Sequence, residues 1–440
     1  MPLQDKIVQV QNSVADLEQL YRQVEADGET HAFKEAILQC IAKQPQHTLF
    51  LAWAHRLESL PAVEPSEMHN VQYKHWQKAI GISLVLGTLF LLLAGDQPPV
   101  PFPNAEQPHF WLGWSPVLAL AILAFLSKKN RADSQRDGKW GIIIVAAGAL
   151  TAFRFWAQTD AIAVLVALHL PLVIWAGVGS CVIQKHNNPA RQFHAFSVKS
   201  VETVLTGGIY FGAFMIFLML TQGIFAALDI RIAESSIEKA VAWGVGAISI
   251  LALASVYNPS ASPAAQNWTS GLTRLLSILT RLLLPLTLGV LAIYTFYFIP
   301  VYFWRPFEER QVLIVYNATI MAILVLIALS VAYTEDMKLG KQTVLRRALH
   351  VLGSLTGLLN LYALAAIIYR TYTYGLTPNR YAVLGWNAVT LIMLAVIAIT
   401  LWRAQPNLWA LKLRESLARM SIFAMVWALW VLFALPISFG

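Results

Sequence analysis

The sequence predicts an all-α fold, a polytopic transmembrane helical bundle of about 11 spans carrying a small N-terminal helical cytosolic domain. Three observations predict it. From about Ala79 to Phe439 the 440-residue chain is a series of apolar blocks, each long enough to cross a bilayer and separated by short polar breaks. Hydrophobic side chains make up 57% of the residues and charged ones only 13%, too few charges to coat a soluble globule of this size. A hydrocarbon core of ~30 Å takes ~20 apolar residues as helix, and these blocks are too long and too uniformly apolar for barrel strands.

Residues 1–77 have the composition of a soluble head, with Asp16, Glu18, Glu25, Asp27, Glu29 and Glu35 among acids that outnumber bases. Helices are expected at about 3–26, 29–43 and 48–60. Ile7, Val10, Val14, Leu17, Tyr21 and Val24 recur at steps of three and four, the spacing of a coiled-coil seam. Two readings follow. The stripe packs within a helical bundle against Phe33, Ile37, Leu38 and Ile41, or residues 1–75 engage a protein partner or a second copy. Trp53 and Trp76 are placed to anchor the head at the membrane surface. No basic n-region leads directly into an apolar h-region, so a signal-anchor at 79–95 is expected rather than a cleaved leader.

The membrane domain, 78–440, reads as spans near 79–95, 110–127, 140–157, 161–183, 200–228, 239–257, 283–303, 312–333, 347–369, 381–402 and 418–437. Basic residues set the orientation. Lys128, Lys129, Arg131, Arg136 and Lys139 fill one loop, and Lys185, Arg191 and Lys199 another. Lys338, Lys341, Arg346 and Arg347 continue the alternation, as do Arg403, Lys412, Arg414 and Arg419. These loops are expected in the cytoplasm, giving an N-in/C-out chain. Arg370 and Arg380 break the pattern, because they flank an exterior turn. The formal net charge of +8 is spread among loops, which points to topology and not to nucleic acid.

Residues 269–303 are too long for one crossing and are interrupted at Pro285. An interfacial helix near 270–283, with Arg274 and Arg281 reaching lipid headgroups, is expected before the chain turns inward; one long tilted helix is the alternative.

Few residues carry chemistry. Cys40 and Cys181 are the only cysteines, so a disulfide framework is excluded. His186 and His194 share a predicted loop without a zinc-like spacing, and no pattern asks for a metal or cofactor. His169, before Pro171 inside a span, is an ionisable group at membrane depth; a neutral imidazole there also serves a freed carbonyl or a neighbouring helix. Gly208 and Gly212 form a small-xxx-small pattern for close helix approach or an unwound binding site. Asn267-Trp-Thr269 and Asn317-Ala-Thr319 match the glycosylation acceptor pattern and are discounted as short. Tyr294, Tyr297, Phe298, Tyr302, Phe303 and Trp304 form an aromatic belt or a shelf for a glycan or headgroup.

The most distinctive polar segment is Tyr374-Gly-Leu-Thr-Pro-Asn-Arg380. Gly375 and Pro378 force a turn, and Thr377 or Asn379 caps the following helix. Arg380 sits at a helix N-terminus, whose dipole disfavours a cation, so an anionic partner is expected. Tyr374, Gly375, Thr377, Asn379, Arg380 and His169 are therefore the ligand or anion-binding candidates.

At this motif the chain resembles the bacterial multi-pass membrane family known as domain of unknown function 4153, whose members carry a Tyr-Gly-Leu-Thr-x-Asn-Arg segment between late spans. Leu282-Leu-Leu-Leu-Pro285 through Tyr294, Tyr297, Trp304 and Pro306 is also similar, as is Thr221-Gln-Gly-Ile-Phe225, so the resemblance covers 195–440 best. It implies a bacterial inner membrane and brings no activity. The functional expectation is an integral inner-membrane protein acting as a partner or scaffold in envelope assembly or as a transport-related component, in contact with membrane lipids. The alternative is an enzyme acting on a lipid-linked or glycan substrate at the exterior face, with Asp96, Glu106, Asp229, Glu308 and Glu309 as its acid/base pool.

Overall fold

The computed structural model describes residues 3–11, 13–26, 30–44, 47–59, 65–95, 108–126, 146–148, 150, 161–183, 188–266, 272–332, 334, 337 and 339–439, and among these it contains helices and no strand. The chain divides into two units, Met1–Lys74 and His75–Gly440, close to the boundary expected at residue 77.

The first unit holds α1 (Leu3–Gln9), α2 (Val14–Ala26), α3 (Thr30–Lys43) and α4 (Thr48–Ser59). The single helix expected over 3–26 is two helices. Ser13 breaks it, because its hydroxyl accepts the Asp16 N–H at 3.2 Å and so caps α2. Ile7, Leu17, Tyr21 and Val24 of the predicted stripe are buried with Phe33, Ile37, Phe50 and Trp53. The bundle reading of the stripe is therefore the observed one. Val14 and Leu38 lie outside it, 66% and 45% exposed. Trp53 is a core residue rather than a membrane anchor: it is 3% exposed and its ring lies 5.1 Å from Tyr21 and 5.6 Å from Phe33. The Arg56 guanidinium sits 4.3 Å from the Trp53 ring and pairs with Glu18. That pairing holds the Glu18 carboxyl below its ordinary value.

The second unit is a multi-pass helical membrane bundle. It continues α5 (Pro65–Ala94) and adds α6 (Pro108–Leu126), α7 (Ala161–Ile183), α8 (Pro189–Ala227), α9 (Glu234–Val256) and α10 (Leu272–Ile293). It closes with α11 (Arg310–Ala332), α12 (Leu339–Tyr374), α13 (Pro378–Arg403) and α14 (Trp409–Leu429). Nine helices among the described residues are long and apolar enough to cross a membrane, and the shorter apolar helix Phe110–Leu126 occupies the second expected window. The window at 140–157 lies almost entirely outside the described residues, as does the basic loop after α6.

Contacts fix the direction of α7 to α14. His169 of α7 meets Trp386 of α13, and Leu165 and Ala382, each one turn earlier, share one cluster, so these two run parallel. Trp175–Ser200, Tyr210–Ser255, Tyr294–Tyr316, Asn360–Thr390 and Thr400–Ser416 join successive helices antiparallel. One end of the bundle therefore collects the turns before α8, α10, α12 and α14. Arg191, Lys341, Arg346, Arg347, Arg403, Lys412 and Arg414 all belong to this basic end.

Two packing expectations change. Helix α10 runs unbroken through Pro285 and continues by a π-helical segment, Tyr294–Phe298, to Val301. The chain does not turn at 283–285, so the long-helix alternative replaces a separate piece at 270–283. Arg281 is exposed along this helix, and the Arg274 side chain lies outside the described set. Gly208 and Gly212 have open space where a Cβ would stand, so no helix among the described residues packs on them. The close approach is elsewhere. A Cβ on Gly246 of α9 would lie 2.8 Å from the Leu86 carbonyl oxygen and 3.0 Å from Gly87 Cα, backbone on backbone. Gly385 of α13 is covered by the Trp427 ring of α14.

Candidate functional site

Polar groups lie at three levels of the bundle, and each level has its own local cause. The middle level is built on α13. Trp386 and Asn387 are consecutive, so they point about 100° apart on the helix and face different neighbours. Trp386 Nε1 donates to His169 Nε2 at 2.7 Å, and His169 Nδ1 lies 2.7 Å from the Leu165 carbonyl. A carbonyl only accepts, so Nδ1 carries the proton and the imidazole is neutral. His169 thus bridges to a neighbouring helix, and its own-helix bond goes to Leu165 rather than to the carbonyl freed by Pro171.

On the other side, Asn387 Nδ2 donates to Asn317 Oδ1 of α11 at 2.8 Å and to the Val383 carbonyl at 2.9 Å. Asn317 Nδ2 in turn donates to the Leu313 carbonyl at 2.9 Å. Asn360 of α12 lies 2.6 Å from Thr390 Oγ1, and the amide orientation that satisfies both its atoms donates to Asn387 Oδ1 at 3.3 Å. Asn360 and Asn387 are 0% and 1% exposed and His169 is buried, while Asn317 and Trp386 are half-buried, so the centre of this four-helix network lies inside the bundle. Sequence reasoning treated Asn317 only as part of a glycosylation tripeptide; its place on a helix face beside two other buried asparagines is a tertiary fact.

The turn between α12 and α13 forms the second level. Gly375 has φ +80, a left-handed conformation that its missing side chain permits. Thr377 Oγ1 accepts the Arg380 N–H at 3.3 Å and caps α13, with Pro378 in the first turn. The partner expected for Arg380 exists, but it is not a carboxylate. Arg380 Nη1 donates to the carbonyls of Tyr374 at 2.9 Å and Gly375 at 2.5 Å, the negative end of α12. Arg370 does the same for the single turn Arg305–Glu308, with Nη1 2.5 Å from the Glu308 carbonyl and 3.2 Å from that of Phe307. Both arginines lie within 6 Å of the Tyr374 ring centre, at 5.5 and 5.7 Å. Asn379 is in the first turn of α13 and the hydrogen bonds of the motif do not include its side chain.

The third level, at the basic end, was not anticipated. Lys199 and Glu202 form an ion pair at 2.8 Å on α8, with side chains 2% and 3% exposed. Helix α8 starts at Pro189, a turn or more earlier than its predicted span, so Lys199 and His194 are buried helix residues rather than loop residues. His194 Nε2 lies 3.3 Å from the Ala328 carbonyl near the end of α11. Arg414 donates to Val331 and Ala332 carbonyls at 2.8 and 3.2 Å and to Thr334 Oγ1 at 3.2 Å. A Lys-x-x-Glu pair beginning an apolar helix was the signal available in the sequence.

The described residues include three of the five acids expected to serve an exterior enzyme, Asp229, Glu308 and Glu309. Asp96 and Glu106 lie outside the described residues, Asp229 is in the turn after α8, and Glu309 pairs with Arg305 at 3.3 Å. Among the described residues no group of three His, Cys, Asp or Glu is arranged to hold a metal ion. No family model, curated protein or solved structure matches the chain.

Proposed function

We propose that this chain is a non-catalytic multi-pass protein of a bacterial inner membrane that serves as a partner or scaffold in an envelope assembly, with its head in the cytosol and Gly440 on the opposite side. The observation that carries this reading is the mutual satisfaction of the polar groups gathered around α13 at the middle level of the bundle. His169, Trp386, Asn317, Asn360, Asn387 and Thr390 bond to one another or to their own helices, which serves cohesion and leaves no base beside a nucleophile. The likeness of Tyr374–Arg380 to family 4153 supports the bacterial membrane, and the crowding of basic residues at one bundle end supports the sidedness.

A second reading, a transport-related component, draws on Lys199–Glu202, since intramembrane carboxylates couple ions to transport. One experiment separates the two. His169→Phe with Trp386→Phe, and Glu202→Gln, are introduced in cells where loss of the protein has a scored phenotype, and abundance is measured by blot. A scaffold keeps its phenotype at normal abundance in both variants. Loss of phenotype at normal abundance in Glu202→Gln refutes the scaffold and favours transport.

A further inference from the structure

We propose that Arg370 and Arg380, with the Tyr374 ring beside both, bind a phosphate group at the α12–α13 end of the bundle. The inference does not depend on the scaffold reading. It begins from depth. Tyr372, Tyr374 and Leu376 are 92%, 60% and 50% exposed, and Trp304 and Tyr297 at the same end are 61% and 63% exposed. Exposed Tyr and Trp at the end of a membrane bundle belong at headgroup level, where one edge of the ring is wet and the other apolar. That layer is where lipid phosphates lie.

The second step is valence. A guanidinium has five N–H donors in a rigid fork. Arg370 and Arg380 each commit only Nη1 to carbonyls, and among the described residues Nε and Nη2 of both make no hydrogen bond to protein. The carbonyl bonds hold the two side chains in place and so reduce the ordering cost of a further ligand. Neither arginine has a carboxylate within ion-pair distance among the described residues. The contrast at the same end is Arg305, which pairs with Glu309. Glu308 is also near, through the backbone carbonyl that Arg370 holds, and its single negative charge leaves the arginine pair in excess.

Fixed cations with open forks on either flank of one ring in a phosphate-rich layer match the oxygens of a phosphate mono- or diester, which accept charge-assisted bonds from a guanidinium. The phosphate is carried on a lipid headgroup or free in solution; the chemistry recognised is shared, and the test separates the sources. Full-length protein in a neutral detergent is titrated with short-chain phosphatidylglycerol, with a phosphate-free diacylglycerol of equal chain length and with inorganic phosphate, and bound species are counted by native mass spectrometry. The expected result is retention of phosphatidylglycerol over diacylglycerol, reduced at least tenfold in Arg370→Gln/Arg380→Gln and unchanged in Arg22→Gln, which removes one charge from α2 of the first unit. Competition by millimolar inorganic phosphate assigns the site to free phosphate, and its failure to compete assigns it to the lipid. Equal retention in the double variant and the wild type overturns the proposal. Because both arginines also hold helix ends, a second measurement uses wild-type protein: a photoreactive headgroup analogue of phosphatidylglycerol is cross-linked and mapped. Adducts within 370–380 support the site, and adducts spread evenly over the bundle ends overturn it.

Discussion

Replacing Asn387 by Leu tests whether the middle of the bundle is held by hydrogen bonds between helices or merely filled. Asn387 is 1% exposed and its Nδ2 serves both Asn317 Oδ1 at 2.8 Å and its own-helix carbonyl at 2.9 Å. Leu has nearly the same length and no donor, so the substitution isolates the polar contribution from packing. Three groups lose a bond: Asn317 Oδ1 and the Val383 carbonyl, which accept from Nδ2, and the Asn360 amide, which reaches Asn387 Oδ1 at 3.3 Å and keeps the Asn387 backbone carbonyl at 3.2 Å. Each unsatisfied buried group costs roughly 1–3 kcal/mol in water-soluble cores, while interhelical bonds in membranes average about 0.6 kcal/mol with a maximum near ~1.7. The expected loss is thus about 1–2 kcal/mol, toward the lower membrane figure per bond. The sharper quantity is the coupling between Asn387→Leu and Asn317→Leu, measured by unfolding in bicelles as a double-mutant cycle. A coupling of about 0.5–1.5 kcal/mol is expected, because the second substitution removes a group already orphaned. Additivity within about 0.3 kcal/mol would refute the bond as a source of cohesion.

Three further outcomes are expected. Gly246→Val forces the α5 and α9 backbones apart, since even a Cβ falls 2.8 Å from the Leu86 carbonyl, and should cost about 2–3 kcal/mol, whereas Gly212→Val meets open space and should leave the melting temperature of purified protein unchanged. Lys199→Met removes the buried charge-assisted bond that Lys199 makes to Glu202 at 2.8 Å and should cost about 1.5–3 kcal/mol in the same thermal assay. In the head, the folded-state value of Glu18 is depressed mainly by its hydrogen bond with Arg56, so its stabilising contribution is complete above the unfolded value of 4.5 and is lost as pH falls through the lower folded value. Hydrogen exchange of α2 and α4 amides in the intact protein should accelerate as pH drops below about 4.5, after correction for intrinsic rates, and Arg56→Met should flatten that dependence.

Much of the architecture was legible because lipid imposes one rule on every segment: a long apolar run must satisfy its own backbone, and a helix does so locally. The windows for α7, α9, α11 and α13 need only composition. Local chemistry also carried through at the motif, where Gly375, Thr377 and Pro378 do what their side chains dictate. Failures came where a partner far along the chain decides. Trp53 looks like an anchor until Phe33 and Tyr21 are seen to close over it. Gly208 and Gly212 look like a packing seam, yet the seam is at Gly87 and Gly246, whose sequence contexts announce nothing. Helix α10 passes Pro285 because a proline in a membrane helix is tolerated when neighbours settle the freed carbonyl. Lys199 reads as a loop charge unless one knows that Pro189 starts the helix ten residues earlier.

The arginines unify the two ends of the bundle and change the meaning of the orientation rule here. The rule counts Lys and Arg as free charges repelled from the exterior. Four arginines of this chain are instead seated on the carbonyls that end a helix or turn elsewhere: Arg414 on α11, Arg346 on Leu401 and Ala404 of α13, Arg380 on α12 and Arg370 on the turn before α11. A helix end near hydrocarbon exposes up to four carbonyls that water reaches poorly, and the partial negative charge there attracts a guanidinium whichever side of the membrane it faces. Arg370 and Arg380 therefore break the charge pattern without requiring a miscounted span. They make at their end of the bundle the same kind of carbonyl contact that Arg346 and Arg414 make at the other. It follows that Lys is a poor substitute at Arg346 and Arg414, where Nε and Nη2 both donate to carbonyls, since a single ammonium does not reproduce the planar fork that bridges two or three acceptors at once.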